Sequence, residues 1–204
     1  MRLLISIDDG HPLDMKVFGM LKKYGLQRNA IFFIPMGENI ETKTMTFERL
    51  DNRSIKTISM ESEIGGHTIS HRVLNKLSQL EQEFEIKMGN GMLEKIIGRQ
   101  IEWFAPPRGW TNTELEQRAL ENCGVKHYRL MKQGVYKLSE LPSIVPITVH
   151  FHPSHYDKLD EYLELAKAEG ENGYFHMTLH SWEVDKFYDW PKLEKTFEKL
   201  SKLI

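Results

Sequence analysis

The chain of 204 residues has almost no thiol chemistry, because its one cysteine, Cys123, can close neither an internal disulfide nor a multi-cysteine metal cage. Any bound metal must then be held by histidine or carboxylate. Long apolar runs are missing too. The opening Met1-Arg2-Leu3-Leu4-Ile5-Ser6-Ile7 meets two aspartates, too soon for a membrane span or the core of a signal peptide. This predicts no membrane insertion and a cytoplasmic location. Neither sign of charge dominates: 27 Lys and Arg against 29 Asp and Glu leave a formal −2, which offers no general field for nucleic acid. No G-x-G-x-x-G turn follows the first apolar run, so a dinucleotide-binding open sheet lacks its signature. Repeats and low-complexity tracts are absent as well. With 40% hydrophobic and 27% charged residues the chain has an ordinary globular composition, and its length favours one domain over 1–204.

What is present is an alternation of strand and helix signals. Leu3 to Ile7 is a buried-strand pattern ended by Asp8-Asp9-Gly10; Leu13, Val17, Leu21 and Tyr24 then recur at helical spacing before Gly25. Ala30 to Ile34, Ser62 to Gly66, Ile101 to Ala105, Val145 to Val149 and Tyr174 to Leu179 repeat the strand pattern. Helical stretches fall between them: 77–97, with Gly89-Asn90-Gly91 expected to interrupt it, and 112–123 with a Thr111/Glu114 capping box. Two more carry Leu159, Leu163 and Ala166, and Leu193, Phe197 and Leu200 after Pro191. Met20, Met88 and Met92 read as core filler. Such repetition predicts parallel βαβ units and an α/β barrel rather than an open sheet.

In that architecture chemistry gathers at the carboxyl ends of strands. Asp8 and Asp9 end the first strand; adjacent residues there point in different directions, so one can ligate while the other takes a proton. His67-Thr68-Ile69-Ser70-His71 spaces two imidazoles so that a helical turn or tight loop can aim both at one divalent cation. A carboxylate from Asp8 or Asp9 would complete a facial set with positions left open. His180 ends the last strand, where an imidazole can donate a proton to a leaving group. Trp110, Trp182 and Trp190 could wall a sugar face. A rival cluster, His150-Phe151-His152-Pro153-Ser154-His155, puts His150 and His152 on one strand face, with Asp157 the nearby carboxylate.

These motifs, in this order, resemble the polysaccharide deacetylases of the NodB-homology type, carbohydrate esterase family four. Ser6-Ile7-Asp8-Asp9-Gly10 is similar to that family's first motif, His67 to His71 to its second, and Leu179-His180 to its last. The string Leu179-His180-Ser181-Trp182-Glu183 looks like the ending of one sub-branch. The resemblance implies a distorted (β/α) barrel of about seven strands, with Asp8 as general base, Asp9, His67 and His71 as metal ligands, and His180 as general acid. It implies a single divalent ion, zinc above all, with cobalt, nickel or manganese as alternatives. It also implies removal of acetyl groups from N-acetylated saccharides, with Arg108, Trp110, Leu179 and Trp182 toward substrate. The third motif departs from the family: Ala105-Pro106-Pro107-Arg108-Gly109 has alanine where an arginine usually steadies the base, and Arg108 where the family has an aromatic residue. Two other readings follow, a hydrolase of non-sugar amides and a carbohydrate-binding relative without turnover.

Overall fold

The computed structural model describes residues 1–42, 45–109, 114–141 and 144–204. Eleven strands are described: β1 Arg2–Asp8, β2 Ala30–Ile34, β3 Asn39–Glu41, β4 Thr46–Glu48, β5 Glu63–Gly66, β6 Trp103–Phe104, β7 His127–Gln133, β8 Tyr136–Lys137, β9 Ile144–Ile147, β10 Val149–His150 and β11 Gly173–Leu179. The described α-helices are α1 Asp14–Lys23, α2 Asn52–Ser59, α3 Gln79–Ile97, α4 Glu114–Asn122, α5 Tyr156–Ala168, α6 Ser181–Lys186 and α7 Trp190–Ser201.

The main sheet runs β10-β11-β1-β2-β5-β6-β7-β9, every neighbouring pair parallel, with β8 added antiparallel to β11. β9 and β10 are one stretch of chain broken only at Thr148, and that stretch touches both ends of the sheet: Ile144 pairs with Tyr128, Val149 with Met177. The sheet therefore curls into the expected distorted α/β barrel, with about seven strand runs. β3 and β4 form a separate hairpin at the rim.

Period-two alternation sorts the strands into an outer and an inner face. Leu3, Ile5 and Ile7, Phe32 and Ile34, and Phe175, Met177 and Leu179 pack outward among Val17, Leu21, Leu163, Phe197 and Leu200 of the helices. The intervening residues, Ser6, Asp8, Tyr174, His176 and Thr178, are equally buried but face the interior. The interior is thus partly polar, and several of its groups pair. His176 Nδ1 lies 3.1 Å from the Pro146 carbonyl, which can only accept, so Nδ1 carries the proton and Nε2 accepts from Ser6 Oγ at 3.0 Å.

Several expectations need amending. α3 runs unbroken through Gly89-Asn90-Gly91, because Gly89 is where the helix touches the loop after β5: a Cβ there would lie 2.7 Å from the Thr68 carbonyl oxygen. The helix starts at a Ser78/Glu81 capping box, and its face toward solvent leaves Met88 43% exposed rather than in the core. Thr111 lies outside the described residues. β7, the β3–β4 hairpin, α2 and α6 carry no signal picked out above.

Candidate functional site

The turn after β1 is built from two consecutive left-handed residues, Asp9 (φ 78) and Gly10 (φ 62). Gly10 is required there, since a Cβ would approach Ile34 Cγ2 to 2.9 Å. The turn swings Asp9 away from the inward direction of Asp8. The loop after β5 is similarly forced, with Thr68 (φ 67) and His71 (φ 57) left-handed. Non-glycine residues hold such φ values only when their surroundings over-determine them. Here the buried Glu85 of α3 does so, accepting from the backbone N–H of Ile69 at 3.2 Å and of Ser70 at 2.9 Å.

The result is a convergence. Asp9 Oδ1 lies 3.0 Å from His71 Nε2 and 3.3 Å from His67 Nε2, all three residues buried. The tautomers are settled by what lies behind the rings. His67 Nδ1 is 2.7 Å from the Ala105 carbonyl and His71 Nδ1 is 2.7 Å from the Glu41 carbonyl; carbonyls only accept, so both protons sit on Nδ1. In the neutral form both imidazoles direct Nε2 lone pairs toward a carboxylate oxygen that is itself an acceptor, and His67 Nε2 has no hydrogen-bond partner among the described residues. A shared cation satisfies that arrangement, and a backbone carbonyl behind each ligating histidine is how metal sites are commonly braced. The donor set, two nitrogens and one carboxylate oxygen all within 4.8 Å of one another, fits a divalent ion of the zinc class. Burial pushes the His67 imidazole below its usual range, which favours the neutral ligating form. Burial alone would raise Asp9, but His180, His67 and His71 hold its carboxyl well below the usual range.

Trp182 is 8% exposed and donates from Nε1 to Asp9 Oδ2 at 2.9 Å, so its indole aims the Asp9 carboxylate. Asp8 takes no part in this cluster. Its Oδ2 pairs with Nη2 of the fully buried Arg129, which reaches from β7 across the interior, and its Oδ1 has no partner among the described residues. Asp8's charged partner is therefore Arg129, not Arg108. Arg108 sits on an exposed turn at φ 62 and lines a cavity of about 240 Å³ together with Asp9, His71, His180, Trp182 and Glu183.

His180 follows β11 at that cavity's edge. Its Nδ1 lies 2.8 Å from Glu183 Oε2, one helical turn on in α6, and its Nε2 is 3.8 Å from Asp9 Oδ2. Burial pulls the imidazole down, but the carboxylates of Asp9, Glu183 and Asp8 outweigh it and push its pKa up to about 9. Glu183 is kept below the usual carboxylate range despite its burial, by His150 and His180 beside it. Leu179 has no exposed surface; it packs outward in the core and thereby sets where His180 emerges. Trp110 lies outside the described residues. Trp190 starts α7 away from the cluster, donating to Asp185 at 2.8 Å. The rival segment comes alongside: β10 pairs with β11, placing His150 Nε2 2.9 Å from Glu183 Oε2, while Asp157 is exposed in the first turn of α5.

Sequence reasoning missed Arg129 and the role of Glu183. The second had a signal, the i,i+3 spacing from His180. The first had none, since a lone arginine in an unremarked segment announces nothing.

Comparison with known proteins gives a family and a fold. Residues 2–128 match the family described as polysaccharide deacetylase. The Bacillus subtilis (strain 168) protein YxkH is 32% identical over 124 residues, 60% of this chain and 42% of that one, so the match spans less than half of the relative. Among solved structures, the Xyl-CE4 domain of a multidomain xylanase from the hindgut metagenome of Trinervitermes trinervoides superposes with a TM-score of 0.64 at 15% identity, covering 98% of this chain and 83% of that one. BA3943 from Bacillus anthracis, described as a CE4 family pseudoenzyme, gives 0.63 at 17% identity, over 98% of this chain and 60% of that one. At such identities the solved structures speak for the fold. Since the matched span covers well over half of the sequence and takes in both the strand-end aspartates and the histidine pair, this chain belongs to the polysaccharide deacetylase family.

Proposed function

We propose that residues 1–204 form one catalytic domain, a metal-dependent hydrolase that removes acetyl groups from N-acetylated amino sugars of an oligo- or polysaccharide. The observation that carries this reading is the pair of tautomer-locked imidazoles facing Asp9 while Asp8, held separately by Arg129, keeps one carboxylate oxygen free. Asp9, His67 and His71 would hold the ion. A divalent cation in that set supplies Lewis acidity toward an acyl oxygen and a water. Zinc suits two nitrogens and an oxygen best, with cobalt, nickel and manganese as competing occupants.

The chain's own groups do the rest. Asp8 Oδ1 accepts a proton from the water as its oxygen bonds to the acetamide carbon. Arg129 keeps Asp8 oriented. His180, whose imidazolium is favoured by the surrounding carboxylates, delivers a proton from Nε2 to the departing nitrogen as the C–N bond breaks. Acetate and a free amine leave. Glu183 positions the ring of His180 and Trp182 the carboxylate of Asp9, while Arg108 at the cavity lip is placed to meet sugar hydroxyls.

An inactive binder is the competing reading, favoured by the altered third motif and by the likeness to a pseudoenzyme. Against it stand Asp8 and His180 and the arginine that β7 supplies to Asp8. The deciding experiment is acetate release from N-acetylated saccharides, O-acetylated saccharides and non-sugar acetamides, with chelator and then metal added back. Release from the N-acetylated sugars, abolished by chelator and restored by metal, is expected. Release from the non-sugar amides alone, or sugar binding without acetate, overturns the assignment.

A further inference from the structure

Beside the Asp9 cluster lies a second group with metal-ligand geometry that the proposed chemistry does not use as such. His150, His180 and Glu183 come from β10, the end of β11 and α6, and offer three ligand atoms within 4.8 Å of one another. Glu183 Oε2 is central, 2.8 Å from His180 Nδ1 and 2.9 Å from His150 Nε2. Three donors around a tetrahedral zinc ion stand about 3.3 Å apart, so small outward shifts would seat one.

The telling detail is how His150 meets Glu183. Despite the short distance, His150 Nε2 makes no well-aligned hydrogen bond among the described residues: ring and carboxylate converge without pointing straight at one another. His67 Nε2 meets Asp9 in the same way at 3.3 Å, with no aligned partner among the described residues, in the cluster proposed to hold the catalytic ion. The two clusters share that signature and a composition of two imidazoles and one carboxylate. They differ in setting. Side chains of the second are 12–18% exposed against 1–5% in the first. The rings of His152 and His155 flank His150 at 5.5 and 6.0 Å, bringing further imidazoles to the solvent side.

We propose that His150, His180 and Glu183 form a second, weaker binding site for a divalent cation of the zinc class, and that filling it inhibits the enzyme. Inhibition follows from which nitrogen is taken. A cation on His180 Nδ1 takes the atom through which Glu183 positions the ring, so the imidazole is turned and tied away from the departing nitrogen it has to reach. The inhibitory part rests on the reading of His180 as general acid; the site itself does not.

The test is calorimetric titration of metal-free protein with Zn²⁺, for the wild type, His150→Gln and His67→Ala, alongside acetate release at each zinc ratio. The wild type should take up two equivalents, the second at least tenfold weaker. His150→Gln should lose the second and keep the first, and His67→Ala should lose the first and keep the second. Activity should rise with the first equivalent and fall with the second, without the fall in His150→Gln. Should His150→Gln unfold on heating far below the wild type, Glu183→Gln, followed by zinc uptake alone, replaces it. A single equivalent in the wild type, or a second one unchanged in these variants, overturns the site. Two equivalents with no acetate released from any substrate leaves the site standing and removes the deacetylase reading instead.

Discussion

Asp8 and Asp9 are adjacent, yet one is paired with a buried guanidinium and the other faces two imidazoles, so their substitutions should separate cleanly. Asp8→Asn is expected to lower kcat by about 10²- to 10⁴-fold, the usual worth of a general base, with bound metal unchanged by elemental analysis. His67→Ala should instead strip the metal. A further separation concerns the two arginines. Arg129→Met leaves the Asp8 charge buried and alone, which should cost about 3–5 kcal/mol of stability by denaturant titration. Arg108→Ala, at an exposed turn, should leave stability within about 0.5 kcal/mol and act on KM. If Arg108→Ala proves the more destabilising, Asp8 has been given the wrong partner. The aspartates and the histidine pair could be read from the sequence because each is a short local motif at a strand end. Arg129 could not, because its contact spans 121 positions and depends on which strand lies opposite β1 across the interior.

At the level of elements, the loop carrying His67 and His71 is clamped against α3, and glycine is what permits the close approach. Gly89→Ala places a methyl 2.7 Å from the Thr68 carbonyl oxygen and should destabilise by about 1–3 kcal/mol while weakening metal affinity. Two residues on, a Cβ at Gly91 would meet no described atom within 4 Å beyond its own helix backbone and chain neighbours, so Gly91→Ala should stabilise by about 0.5–1 kcal/mol through helix propensity alone. Thermal melts and zinc affinities of the pair check this; equal behaviour would mean that α3 does not brace the loop. The same glycines explain a misreading. As a sequence, Gly-Asn-Gly breaks a helix, and only the neighbouring loop shows why the helix continues through it. β1, β2 and β11 were legible as branched apolar runs, whereas β7, reading His-Tyr-Arg-Leu-Met-Lys-Gln, has neither a run nor clean alternation. The strand without a signal carries the arginine without a signal.

For the molecule as a whole, the polar barrel interior ties stability to pH. Burial, with the charge of Arg129 adding to it, holds His176 neutral and brings its pKa down to about 3. An unfolded histidine titrates near 6.5, so below that pH the unfolded state binds a proton that the folded state refuses. Stability is therefore unaffected by this group above pH 6.5 and should fall with decreasing pH, by up to about 1.4 kcal/mol per unit, until about pH 3. Urea titrations at pH 7, 6 and 5 should show a shallower decline in His176→Gln than in the wild type; parallel declines would place the acid sensitivity elsewhere. The helices at either end of the chain and the strand–helix alternation made the barrel foreseeable from residue spacing. Its closure was not, because that depends on the single stretch 144–150 serving two edges.

β11 lies between β1 and β10, which makes the last described strand synthesised a neighbour of the first. During translation β1 must wait, one edge bare, for a partner more than 170 positions behind it. A ribosome stalling before Gly173 would release a product without β11 and His180 and with an unfilled slot in its sheet, a ready substrate for quality-control proteases.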